Sequence, residues 1–157
     1  AFILVTLLFF AGIGSLYSKK LNLKMQKTKT SFHAIDVAII GLIVMLTTHV
    51  FFLTPIFERS FSLNWTLKLF ISFLAIAPLS FFMGMPFPLG LTWIKKSFEQ
   101  GIPWAWGING CASVIGSILS ILLLMHFGYT IVTFLVVIMY LTALIIFKIV
   151  FLKNNNY

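Results

Sequence analysis

Apolar residues run along the chain in five blocks, at about 1–17, 34–55, 66–88, 103–126 and 129–151, with most of the charged residues standing between them. No charged residue occurs from Leu69 to Ile94 or from Gln100 to Phe147. Because about 20 apolar residues suffice to cross the hydrocarbon core of a bilayer, each block predicts a transmembrane helix. The pattern therefore predicts an all-α integral membrane protein: one domain over residues 1–157, a bundle of about five helices. The first block is short and already apolar at Ala1, so we expect a piece of a longer chain.

Small and polar residues punctuate the blocks. Gly12, Gly14 and Ser15 close the first, where small residues let a neighbouring helix come near. A basic loop, Ser18 to His33, follows with Lys19, Lys20, Lys24, Lys27 and Lys29 and no acid. Asp36 falls in the first turn of the second span, where a negative charge complements the helix dipole. Glu58 and Arg59 cancel each other in the next loop, and Trp65 and Lys68 suit an interfacial anchor and a snorkelling cation. The third span runs through Pro78 to Gly84-Met85-Pro86-Phe87-Pro88, where two prolines predict a break near its cytoplasmic end. A loop with Lys95, Lys96 and Glu99 leads to Pro103, which suits a first helical turn; that span ends near His126 to Gly128, and the last reaches Phe151 before an Asn-rich tail.

Composition narrows the class further. The chain is 61% hydrophobic and 9% charged with a net charge of +8, and its mean hydropathy is +1.09, which excludes an ordinary soluble domain. The basic residues collect in alternate loops, as the positive-inside rule requires, so the reading expects an inner-membrane, multi-pass protein with a bilayer and no nucleic acid as partner. It places the N-terminus of this piece outside and its C-terminus in the cytoplasm. The lone Cys111 offers neither a disulfide nor a metal cluster.

The polar residues inside the spans are few. Ala112, Gly116 and Ser120 recur every four residues, and Asn109, Ser113 and Ser117 form an adjacent row. Such a face suits a tight seam with another helix, the first span through Gly12 and Gly14 being the expected partner, or else a polar groove. His49 is an ionisable residue within a span and so a site candidate by default. Pro86 and Pro88 would free carbonyls near Phe82 and Gly84, and these could converge with Asn109 and the first-turn donors after Pro103 on an anionic group. Phosphate loops, paired acids, metal spacings and nucleophile elbows do not occur, so no catalytic, cofactor-binding or metal residue is expected in this segment.

The series Gly84-Met85-Pro86-Phe87-Pro88-Leu89-Gly90, Pro103-Trp104-Ala105-Trp106-Gly107-Ile108-Asn109-Gly110, Ser113-Val114-Ile115-Gly116-Ser117 and Phe127-Gly128, with Gly12-Ile13-Gly14-Ser15, resembles the membrane part of bacterial spermidine-synthase-like proteins. In that family a multi-span region is fused to a Rossmann-type aminopropyltransferase or methyltransferase-like domain. The resemblance implies a soluble catalytic domain of the same parent protein as partner, binding S-adenosylmethionine or its decarboxylated form. That domain's glycine motif and acids have no counterpart here. The expected function is a non-catalytic membrane module, with a secondary-transporter fragment or a membrane assembly subunit as alternatives.

Overall fold

The computed structural model describes residues 1–27, 33–60 and 64–154. Lys29 and the tail residues Asn155, Asn156 and Tyr157 lie outside the described residues, as do the side chains of Lys27, Glu58, Arg59 and Lys153. All the described elements are helical: α1 (Phe2–Lys27), α2 (Ala34–Ser60), α3 (Trp65–Met83), α4 (Pro86–Ser97) and α5 (Ile102–Asn154), with a short 3₁₀ turn at Glu99–Gly101 before α5. Among the described residues, four stretches are long and apolar enough to cross a membrane: Phe2–Gln26, Ala34–Phe52, Trp65–Lys96 and Glu99–Val150.

Two expectations about loops need correction. Helix α1 continues through Lys19, Lys20 and Lys24, where the sequence suggests a basic loop. Those lysines mark where the apolar surface ends, but no glycine or proline follows to end the helix. Helix α4 likewise occupies the ground expected to be the loop after the third span, because the first helical turn is where proline's missing N–H costs nothing.

The fourth apolar stretch spans 52 residues where the sequence pattern suggests two helices. A straight helix of that length would measure about 78 Å. The chain instead leaves helical geometry at Gly128, whose φ of 75° and ψ of 170° belong to a region open essentially to glycine alone. Ring contacts fix the consequence. Trp106 stacks edge-on against Phe87 at 4.9 Å between centroids, and Phe147 meets Trp93 at 5.7 Å, so both ends of α5 return to the same short helix α4. We refer to residues 102–127 as its first arm and 129–154 as its second.

Other contacts order the rest. Phe73 touches both Phe2 and Phe10, while Phe81 further along meets Tyr17, so α1 and α3 run parallel. The buried core joins Ala34 and Ala38 at the start of α2 to Met85 and Leu89 around the start of α4, flanked by Leu21 and Met25 near the end of α1. Helix α2 therefore runs opposite to α1 and α3. The end of the bundle where α1 and α3 finish and α2 begins, the basal end, carries Lys19, Lys20, Lys24, Lys95, Lys96 and Lys148.

Few side chains are truly interior. Only eight hydrophobic residues are buried among those described, whereas large apolar side chains such as Leu16, Trp104 and Met125 are more than 70% exposed, so the apolar surface faces outward, as a lipid-embedded bundle requires. The buried hydroxyls follow the same logic. Thr6, Ser18, Ser80 and Thr133 each donate to a carbonyl of their own helix three or four residues back, which leaves no donor unsatisfied in apolar surroundings.

Candidate functional site

The basal end is built by glycine. A Cβ placed on Gly14 would collide with the backbone carbonyl of Phe81, and one on Gly84 with that of Ala11. The two helices thus press backbone to backbone in a reciprocal pair of contacts, the geometry that small residues permit in a membrane. Gly41 of α2 repeats the device in a softer form, lying against the ring of Phe82.

At that seam the chain passes from α3 to α4. Gly84 donates to the Ser80 carbonyl at 3.0 Å, Met85 to the Phe82 carbonyl at 3.3 Å, and Leu89 to the Met85 carbonyl at 3.2 Å. The carbonyl of Phe82, expected to be freed by the prolines, is therefore engaged, because the end of α3 tightens to a three-residue bond at Met85. Pro86 and Pro88 both fall in the first turn of α4, where an N–H would have no helical acceptor.

The most polar buried group lies at the start of α2. Asp36 is 1% exposed; its Oδ2 accepts the backbone N–H of His33 at 3.0 Å, half of a capping box closed from the third helical position. Nδ1 of His33 stands 3.8 Å from the same oxygen. Oδ1, without a hydrogen-bond partner, faces Nζ of Lys148 at 3.8 Å. A carboxylate this deep is costly unless a cation is near, and the second arm of α5 supplies one. Sequence reasoning assigned Asp36 only to the helix dipole and missed Lys148, although both sit at the basal limit of their apolar blocks.

The residues singled out from sequence are not gathered into one pocket. Phe87, between the two prolines, reaches the start of α5 through Trp106. Asn109, Ser113, Gly116 and Ser117 lie on exposed surface of the first arm, and a Cβ on Gly116 would meet nothing within 4 Å. The expected seam with α1 is absent within the described chain, because Gly14 is already occupied by α3. The serines also turn inward on their own helix: Ser113 donates to Asn109, Ser117 to Val114 and Ser120 to Ser117. Beside this row an apolar groove of about 640 Å³ follows Trp104, Ile108, Cys111 and Ile115. On α2, His49 Nδ1 pairs with the Met45 carbonyl at 2.9 Å. A carbonyl can only accept, so Nδ1 is the donor in this contact, and the buried Nε2 has no hydrogen-bond partner among the described residues.

No group of three or more His, Cys, Asp or Glu side chains that could hold a metal ion occurs among the described residues. What the arrangement offers is a helical bundle locked at one end by backbone contact and by a buried carboxylate facing a half-exposed lysine, with one arm uncovered. Comparison of the chain with protein-family models, with curated proteins and with solved structures finds no match.

Proposed function

We propose that the chain is a non-catalytic membrane module of the spermidine-synthase-like kind, anchoring a soluble Rossmann-type domain of the same parent protein. One observation carries the reading: the motif residues behind the resemblance that are most enclosed serve packing. Gly14 and Gly84 make the α1–α3 crossing, and Met85 and Leu89 fill the basal core. Residues used in this way account for the motif by architecture, which fits a module whose catalysis belongs to another domain.

In this reading the module crosses the membrane five times, since α5 folds back at Gly128 and each arm is about 38 Å long, enough for one crossing. Gly84 and Met85 then form the break at the cytoplasmic end of the third span, and the lysine-rich basal end faces the cytoplasm of a bacterial inner membrane. A secondary-transporter fragment is the second reading. It draws on the same discontinuity between α3 and α4, a feature that transporters place at their binding sites.

Two measurements test the proposal. The coding sequence adjoining the chain is expected to encode a strand, a glycine-rich turn and a downstream acid; further inverted sets of apolar spans in their place would favour the transporter. In a Cys111→Ala background, Lys24→Cys is expected to resist an impermeant thiol reagent applied from outside, and strong labelling would invert the topology.

A further inference from the structure

A cleft of about 420 Å³ opens between α1 and α4 at the basal end, within the size range of ligand sites. Its polar wall on α1 is a single stripe, Ser15, Lys19, Asn22 and Gln26, spaced by three or four residues so that the side chains fall on one face. Thr92 and Lys96, one turn apart on α4, form the facing wall. Leu16, Leu23 and Pro88 supply apolar lining.

The electrostatics of this cleft are one-sided. No acid lines it, and neither Lys19 nor Lys96 has a carboxylate within ion-pair distance among the described residues; the buried Asp36 faces His33 and Lys148. Two lysines from different helices therefore line one cavity with no carboxylate of the described residues within ion-pair distance of either. The hydroxyls of Ser18 and Thr92 already donate to Ser15 and Pro88 carbonyls, so the donors still available are the two ammoniums, the Ser15 hydroxyl and the amides of Asn22 and Gln26. That set suits the oxygens of a phosphate.

The surroundings select among phosphates. Leu16 at the cleft is 78% exposed and continues into the exposed apolar face of α1 formed by Leu8, Phe9 and Ile13. A ligand with an anionic head and acyl chains satisfies both regions at once. We propose that this cleft binds the headgroup of an anionic phospholipid, its chains lying along α1. Basic pockets between spans at the cytoplasmic side take such headgroups, each lysine near the surface contributing about a fivefold gain in binding.

The test is native mass spectrometry of the full chain in neutral detergent, with phosphatidylglycerol titrated against phosphatidylcholine. Phosphatidylglycerol is expected to bind at lower concentration, and the Lys19→Gln/Lys96→Gln double variant to weaken it about 30-fold. The Lys20→Gln/Lys95→Gln double variant removes the same charge from positions outside the cleft lining and is expected to weaken binding clearly less than the cleft variant. An Asn22→Leu/Gln26→Leu variant should weaken binding without changing net charge, which keeps the proposal testable if the first variant misfolds. Equal losses in the two lysine variants would reduce the effect to diffuse charge and overturn the site. So would equal affinity for phosphatidylcholine, or displacement by inorganic phosphate or glycerol phosphate at similar concentration, which would make the ligand a soluble anion.

Discussion

The contact between Asp36 and Lys148 joins the start of α2 to the second arm of α5, and it is open to a quantitative test. At 3.8 Å, an effective dielectric constant near 20 gives a gross attraction of about 4 kcal/mol. That figure needs discounting, because the Lys148 side chain is 49% exposed and solvent weakens the pair toward the surface range of about 1 kcal/mol or less. A coupling of about 1–2 kcal/mol is the resulting expectation. Lys148→Met keeps the apolar stem and removes the charge, leaving a carboxylate at 1% exposure supported by one backbone N–H and His33. It should cost about 1–3 kcal/mol. Asp36→Asn keeps an oxygen for the His33 N–H while discharging the site, so adding it to Lys148→Met should recover part of that loss. Reversible unfolding in mixed micelles, followed by circular dichroism across the four-member cycle, measures the coupling. Additive single-variant costs would show that the second arm is held to α2 by packing alone and that the pair contributes nothing.

The remaining predictions concern backbone geometry. Gly14→Leu should lower thermal stability in detergent by well over the cost of an ordinary surface change, because the new side chain meets the Phe81 backbone, whereas Gly116→Leu should leave the melting temperature of this chain unchanged; equal melting temperatures for the two variants would refute the α1–α3 crossing. Gly128→Ala should destabilise by about 1–3 kcal/mol although its Cβ has open space, since only the positive φ opposes it, and an unaffected protein in the same unfolding assay would mean that the arms do not turn there.

Much of this arrangement is legible in the residues. Uncharged runs locate the apolar helices, Gly12 to Ser15 announce a close approach, and the His126–Gly128 stop coincides with the departure from helical backbone. What the sequence does not reveal is which surfaces meet. The small row on the first arm and Gly14 on α1 look like natural partners by composition, yet α3 reaches Gly14 first because it runs parallel to α1 and brings Phe81 to the same level. Asp36 and Lys148 lie more than a hundred positions apart, so no local pattern connects them. The end of α1 departs from the apolar pattern for a physical reason too. Lysine marks the edge of the apolar zone, but it is a good helix former and does not stop α1.

Burial concentrates at the basal end because lipid removes the usual reason to bury anything else. Hydrocarbon tails are as apolar as leucine, so an exposed apolar helix face gains little by finding a protein partner. Most of the groups that do need one lie where α1, α2, α3 and α4 meet: the glycines whose backbones can touch, the backbone at the α3–α4 junction and the Asp36 carboxylate; His49 Nε2 on α2 is the exception. The serines of the first arm of α5 need no outside partner, since they donate to their own helix. The arm stands uncovered apart from its root at Trp106 and its turn at Gly128. Substitutions in the basal lock should thus change whether the bundle forms, and those on the first arm only what the bundle touches.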